Sequence, residues 1–464
     1  MATRVADSDS YRHLWTAPEL DRMFDERQRL QRWLDILVAL ARAQASLGII
    51  PAAAADLIMA NADARLLDVK RIAAHARHTS HSTLGFIREV QRILPDAARE
   101  YVYYGATVQD ITDTWFGLVL RDVGDIVTRE LYHLEGLLID LATAHRNTVM
   151  VGRTHGQPGA PITFGFKVAT WADEVRRHLD RLHEGGARWA VGQLGGAVGV
   201  LGFYGDLGLD LRRRFCAEIG LGDPGISWLT SRDRIAEFAH VLAMVCASLA
   251  RFGGEVYELA RPEIGELHET APTGTVSSIT MPHKQNPERS EHLDTLSRLV
   301  RAHTGVLIEG MNQQHERDGR GWKAEWVSLP EVCELTVTSL VLAQRLLAGL
   351  RVDAAAMARN VAASGDDLRS EQILAGLSAV QGNHAAQAMM AEVVESGAAR
   401  SLGLVAAVAE RGGFGLSQVE GWSARQPMGA ARAMVDLVVE HARGARASAP
   451  SRTGPPQGGL PSWT

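Results

Sequence analysis

The sequence predicts an all-α fold on two observations: apolar residues recur at helical spacing over runs longer than an average globular helix, and no convincing strand alternation separates those runs. The first run falls at Leu30, Leu34, Leu37, Val38, Ala41 and Ala45, and Gly48 followed by Pro51 stops the helix near Leu47. The second follows Asp113, with Leu118, Val123, Ile126, Val127, Leu131, Leu134, Leu138 and Leu141 at helical spacing. Similar runs over 162–187, 232–262, 287–314 and 328–350 bring the long helices to about five, which suggests a bundle. Residues 365–445 read as shorter helices, and Ser448–Thr464, rich in Pro, Gly and Ser, is expected to be a disordered tail. Such helices close a bundle within one chain or between chains, because burial is indifferent to which chain supplies the partner surface.

Composition narrows the function classes. At 464 residues the chain exceeds what one compact core organises, so two or three structural units are expected. A net charge of −6 argues against a nucleic-acid groove or an anionic membrane surface as the main partner, leaving small solutes and other proteins. Cys216, Cys246 and Cys333 lie far apart without the spacing of a zinc site or a disulfide framework, which fits a reducing compartment. The first residues lack an apolar signal core, and no stretch approaches the roughly 20 apolar residues that span a bilayer, so a cytoplasmic protein is expected.

Four segments carry chemistry. Gly274–Pro287 is a small polar loop feeding a helix, with Asn286 suited to cap it and Pro287 to its first position. Its hydroxyls and backbone N–H groups suit an anion-binding lid, and Lys284 adds a charge for a carboxylate. A generic Ser-rich loop of this kind is more often only a helix start. The second segment is Arg153-Thr-His-Gly-Gln-Pro158, continued by Phe164-Gly-Phe-Lys-Val-Ala-Thr-Trp171; a lone histidine such as His155 is usually structural. The third, Tyr104-Gly-Ala-Thr-Val-Gln-Asp-Ile-Thr-Asp-Thr114, reads as a helix entrance capped by Asp113. The fourth is His78-Thr-Ser-His81 before Leu84-Gly-Phe86.

Met281-Pro-His-Lys-Gln-Asn-Pro287 after Ser277-Ser278 resembles the signature of the fumarase/aspartase superfamily, in which two serines and one residue precede Met-Pro-x-Lys-x-Asn-Pro. Here Ile279 and Thr280 both intervene, so Ser278 stands on the family's first serine in a gapless alignment. The resemblance implies Ser278 as the base, with Ser277 or Thr280 as alternatives, and Lys284 and Asn286 as substrate-binding residues. The other segments resemble blocks of the adenylosuccinate lyases. By that resemblance His155 protonates the leaving group or positions its charge, Thr154 and Gln157 bind substrate, and Thr107 holds a carboxylate where Val108 replaces the family serine. His81 matches a family histidine, with Ser82 in place of the aspartate beside it. The matches run in the family's order from about Pro18 to Glu331.

The resemblance further implies three helical domains, bounded here near 1–112, 113–363 and 364–447. The middle one is a long five-helix bundle that assembles into a tetrameric helical core, with active sites shared between subunits. It implies neither metal nor organic cofactor: a serine alkoxide removes a proton beside a carboxylate, and preorganised donors stabilise the carbanion.

Departures from the adenylosuccinate lyases refine the substrate. Leu14-Trp15 before Pro18-Glu19-Leu20 replaces their phosphate contact, and Trp228 stands where they carry a carboxylate-binding glutamine. Trp228 before Arg232-Asp-Arg234, and His315-Glu-Arg317 leading to Trp322-Lys-Ala-Glu-Trp326, resemble 3-carboxymuconate cycloisomerases instead, while His155 does not. The sum is elimination machinery with a smaller, tryptophan-lined site, in which Arg317 takes the distal carboxylate. The expected reaction is β-elimination from a small C2-substituted succinate to fumarate, with ammonia, an amine or nitrite (from nitrosuccinate) leaving. A carboxymuconate cycloisomerase, an adenylosuccinate lyase, and a binding protein on a lyase scaffold are the competing readings.

Overall fold

The computed structural model of the chain describes residues 5–448 except 271–273, 277, 282, 426 and 427; Ser277 and the tail beyond Ser448 lie outside the described residues. Among these are nineteen α-helices and four short strands, so the fold is all-α. The expected long helices are present as Glu26–Ser46, Val108–Ala144, Phe164–Trp189, Asp233–Leu259, Glu288–Glu309 and Gly319–Ala348. Asp233–Leu259 and Gly319–Ala348 are long and apolar enough to cross a membrane by length and composition, but 67% and 61% of their most apolar windows are buried inside the protein, as in core helices.

Several helix starts differ from expectation, each because a capping group sits where periodicity does not look. Asp25 accepts from the N–H groups of Arg27 and Gln28 and opens its helix ahead of the first apolar position. Asp113 is not a cap: the helix already begins at Val108, and Asp113 is buried one turn inside it. The carboxylate at the entrance is Asp110, which accepts from Thr107 N at 2.9 Å. Asn286 and Pro287 do not have their expected roles either, since the helix starts at Glu288 and Pro287 supplies only the first acceptor, for Glu291 N. Glu269, distant in sequence, provides that cap, accepting from Arg289 N at 3.1 Å and Ser290 N at 2.9 Å. The helix expected from 328 starts at Gly319, where Asp318 accepts from Arg320 N at 3.0 Å, and it continues through Pro330.

The strands form two antiparallel pairs. Strand β1 (Val149–Thr154) pairs with β2 (Gln157–Thr163), and β3 (Leu267–Glu269) pairs with β4 (Leu350–Val352). The residues from 157 to 163 are thus a strand, although the helical run was expected from 162.

The chain divides into two compact units, each assembled from separate stretches. The first comprises Met1–Glu130, His178–Ala247 and Thr295–Val341. Its interior holds a buried charge cluster. Arg232 bonds Glu325 through Nε at 2.8 Å and Nη2 at 2.5 Å, and Asp113 through Nη1 at 2.7 Å and Nη2 at 3.1 Å. Gln109 and the Trp322 indole donate to Asp113 at 2.9 Å and 3.2 Å, and the guanidinium lies over the Trp228 ring at 4.9 Å. Burial works against the guanidinium's charge, yet the two carboxylates hold its pKa above the ordinary value, while burial raises that of Glu325.

A second buried carboxylate, Asp110, ties two loops to the start of the long helix. It accepts from Gly195 N at 2.8 Å and Gly196 N at 3.1 Å as well as from Thr107 N. Burial pushes its pKa up to about 6 against these donors.

The second unit comprises Leu131–Arg177, Ser248–Asp294 and Leu342–Thr464. Arg153 of β1 makes a two-pronged pair with the fully buried Glu266 at 3.0 and 2.9 Å, and Asn360 donates to the same carboxylate at 2.8 Å. Arg446, near the described C-terminus, donates to Tyr132 O at 2.6 Å and reaches Glu135, which also pairs with Arg176. The short helices of 370–423 bury an apolar cluster around Leu377, Val408 and Trp422.

Two predictions follow from the buried charges. Arg232→Met strands two carboxylates and should cost about 3–5 kcal/mol of unfolding free energy. Glu325→Gln, which leaves the Asp113 pair intact, should cost much less; equal losses in urea titrations would contradict the cluster. For Asp110 the folded-state pKa lies above the ordinary 3.8, so the folded protein binds the proton more tightly than the unfolded chain between about pH 4 and 6. Wild-type stability measured against Asp110→Asn should therefore fall as pH rises through that window, by about 3 kcal/mol in all. A flat difference would place Asp110 in the ordinary range, and a rising one would place it below that range.

Candidate active site

The first unit brings together two of the residues singled out from sequence. Arg317 Nη2 donates to Thr107 Oγ1 at 2.9 Å and to Gly196 O at 3.4 Å. Thr107 immediately precedes the helix Val108–Ala144, so a guanidinium, a hydroxyl and a helix N-terminus converge there, a combination suited to a carboxylate. The backbone is shaped for it. Tyr103 and Gly105 have φ of 60° and 75°, and a Cβ on Gly105 would lie 2.4 Å from the Phe203 ring, so only glycine fits. Tyr104 O is held from behind by the Gln44 amide at 2.7 Å and the Tyr204 hydroxyl at 2.8 Å.

His81 is in the same unit, exposed, ahead of the helix Leu84–Ile93. Its Nδ1 accepts from Leu84 N at 3.0 Å and Thr83 N at 3.3 Å. A ring nitrogen that accepts two N–H groups holds no proton, so the neutral ring carries its hydrogen on Nε2 and presents a donor there.

The second unit carries the remaining candidates. Thr154 and Gln157 are paired at the end of the β1–β2 hairpin, and His155-Gly156 form its two-residue turn with φ of 52° and 76°. Positive φ at both turn positions matches the twist of the strands, but only the glycine takes it without strain. All four residues are exposed, which places the imidazole at a tip whose base is anchored through Arg153 and Glu266.

In the polar loop Ser278 Oγ accepts from Met281 N at 3.0 Å, and Lys284 N donates to Met281 O at 3.0 Å. Ile279, the residue that disturbs the serine register, is 94% exposed. Lys284 is exposed, and the Asn286 amide approaches Glu288 at 3.4 Å. Thr280, the alternative base, is exposed in the same turn. Among the described residues no three His, Cys, Asp or Glu side chains form a group that could hold a metal ion.

The tryptophans expected to line the site are committed elsewhere. Trp228 is 1% exposed and gives its indole N–H to Gly192 O at 2.9 Å, and Trp322, also buried, gives its own to Asp113. The two sequence departures that suggested a smaller pocket thus form one buried assembly around Arg232. Asp110, which holds the helix entrance at Thr107 N, was missed. A signal for Asp110 exists, because an acid three residues after a threonine at a helix start can reach back to that threonine's N–H, half of a capping box. Nothing local marks Arg232 as the partner of Asp113.

Comparison with known proteins agrees with this architecture. Residues 12–301 match the lyase family model. The chain is 37% identical over 392 residues to N-acetyl-S-(2-succino)cysteine lyase of Dickeya dadantii, covering 84% of this chain and 86% of that protein. It is 36% identical over 359 residues to adenylosuccinate lyase of Methanocaldococcus jannaschii, covering 77% and 78%. The solved 3-carboxy-cis,cis-muconate lactonizing enzyme of Pseudomonas putida superposes with a TM-score of 0.82 at 32% identity, covering 93% of this chain and 98% of that one. An all-helical fold, a matched family model and relatives of this extent lead to one conclusion: the chain belongs to the lyase family and is an enzyme of the fumarase/aspartase superfamily.

Proposed function

We propose that the chain catalyses β-elimination from a C2-substituted succinate, releasing fumarate. The observation that carries the reading is the Thr107–Arg317 pair at a helix N-terminus, a ready anchor for one carboxylate of a dicarboxylate. In the proposed reaction Ser278, as alkoxide, removes a proton from C3, and the adjacent carboxylate takes up the charge as an enolate-like intermediate. The electron pair then forms the double bond as the group on C2 departs. Donation from Met281 N to Ser278 Oγ supports this serine over Thr280, because a hydrogen bond to the charged form favours it. His155 faces the leaving group, Thr154, Gln157, Lys284 and Asn286 bind substrate, and His81 contributes its Nε2 donor. A cytoplasmic homotetramer of three-domain subunits, with each site drawn from three chains, completes the reading.

For the leaving group, the similarity to N-acetyl-S-(2-succino)cysteine lyases favours a thiolate of an N-acylated cysteine over ammonia, an amine or nitrite. A thiol with a pKa near about 8.5 also leaves with less protonation than an amine. Likeness to the lactonizing enzyme of Pseudomonas putida keeps a carboxymuconate cycloisomerase as second reading.

Purified protein would be incubated separately with N-acetyl-S-(2-succino)cysteine, aspartate, nitrosuccinate, adenylosuccinate and 3-carboxy-cis,cis-muconate. Fumarate from the thioether with release of free thiol is the expected outcome; lactone from the muconate alone would transfer the protein to the second reading. In single turnovers Ser278→Ala should be slower by about 10²–10⁴-fold, and a rate equal to wild type would reject this base. Dilution to a verified monomer should abolish turnover.

A further inference from the structure

The polar segment that carries Ser278, Lys284 and Asn286 is tied at both ends. Its entry follows strand β3, which pairs with β4 up to Glu269 opposite Leu350, and Thr270 N donates to Gly349 O at 3.1 Å. Its exit is the helix Glu288–Glu309, whose Ser290 is 2% exposed and lies against Gly253, where an added Cβ would come within 3.2 Å of Ser290 O. One side chain joins the two ends. The carboxylate of Glu269, the last residue of β3, accepts from Arg289 N at 3.1 Å through Oε2, and through Oε1 from Ser290 N at 2.9 Å and Ser290 Oγ at 2.6 Å. The Arg289 guanidinium returns the contact, donating to Thr270 O at 2.8 Å.

A local cap could not do the same. Arg289 and Ser290 are the second and third residues of the helix, whose N–H groups a capping side chain at the entrance ordinarily takes. Here the acceptor comes from the other end of the segment, so the helix is capped only while entry and exit stay together. Each end thereby holds the other, and the residues between them are restricted to the conformations of a closed loop. A negative group at a helix N-terminus gains further from the peptide dipoles. Shortly before Glu269 in the chain, Glu266 holds Arg153 at the base of the His155 hairpin, so one short stretch anchors both blocks of this unit that the proposed reaction uses.

We infer that Glu269 is a positioning residue for the proposed elimination: by clasping both ends of the segment 270–288 it fixes where Ser278 and Lys284 are presented. The inference rests on the reading of Ser278 as base given above. Misplacing a reacting group by about 1 Å is enough to cost about a hundredfold in rate, so a contact remote from the reacting atoms governs the chemical step when it sets where the base is held. Glu269 itself needs no contact with substrate; its effect on the rate runs through the segment it closes.

Glu269→Gln tests this in the full-length protein. It keeps the length of the side chain and one acceptor oxygen, but sets an amide N–H₂ where one of the two backbone N–H groups needs an acceptor. Single turnovers of N-acetyl-S-(2-succino)cysteine should be slower by about ten- to a hundredfold. In a Ser278→Ala background the same substitution should cost less than about twofold, because no base is left to misplace. A second readout needs no turnover: trypsin cleavage after Lys284, identified by mass spectrometry, should be about five- to tenfold faster in Glu269→Gln, as expected for the loss of a helix cap. Circular dichroism and gel filtration would verify that each variant keeps the wild-type fold and assembly. If wild type turns over none of the candidate substrates, the elimination reading fails and this role with it. If wild type turns over and Glu269→Gln is as fast, or loses as much in the Ser278→Ala background as alone, the positioning role is overturned while the elimination reading stands. Unchanged cleavage after Lys284 would overturn the clasp itself.

Discussion

The buried Arg232 constrains the first unit more than any other residue. A charge removed from water is tolerated only when its donors are met, and here two carboxylates and the carbonyls of Trp228 and Leu229 surround one guanidinium. Because Asp113 and Glu325 lie on two different helices and Arg232 immediately precedes a third, Asp233–Leu259, the requirement sets how those helices may slide and rotate within the unit. A shift by one residue would leave a charge unpaired in the interior. Asp113 is thereby held in place, and Asp110 and Thr107, less than two turns before it, are positioned by the same helix.

Asp110 transmits that order to the candidate site. Its carboxylate gathers backbone N–H groups from the helix entrance and from the Gly195-Gly196 loop, and Arg317 joins a third loop to both through Thr107 and Gly196. Loops so braced lose little further entropy when an anion arrives, which is what preorganised binding requires. In the second unit the corresponding device is the hairpin. The left-handed backbone of His155 is costly for a non-glycine residue, and the Arg153–Glu266–Asn360 contacts provide a rigid base against which that conformation is kept.

The buried cluster also changes how the family likeness is interpreted. Trp228, Trp322 and Glu325 stand out in sequence as departures from the adenylosuccinate lyases toward the cycloisomerases, and they suggest a different substrate. In the structure they serve Arg232: one indole stacks on it, one bonds its carboxylate partner, and Glu325 pairs with it. These three positions therefore report on packing around a buried charge. Residues near Thr107 and at the hairpin tip, by contrast, are exposed or half-buried and present polar atoms.

The amino-acid sequence by itself determined the helical class, the approximate extents of the long helices and the residue types of the motif blocks. Each of these is local: apolar spacing is read within a few turns, and a motif within a dozen residues. Only the tertiary structure decided that Asp113 is an ion-pair partner and not a cap, that Glu269 caps the helix after the polar loop, and that His155 sits on a hairpin turn. Arg232 is 119 positions from Asp113, and Gly195 is 85 from Asp110. Which distant group satisfies a buried carboxylate depends on how the helices pack, and local periodicity carries no information about that choice.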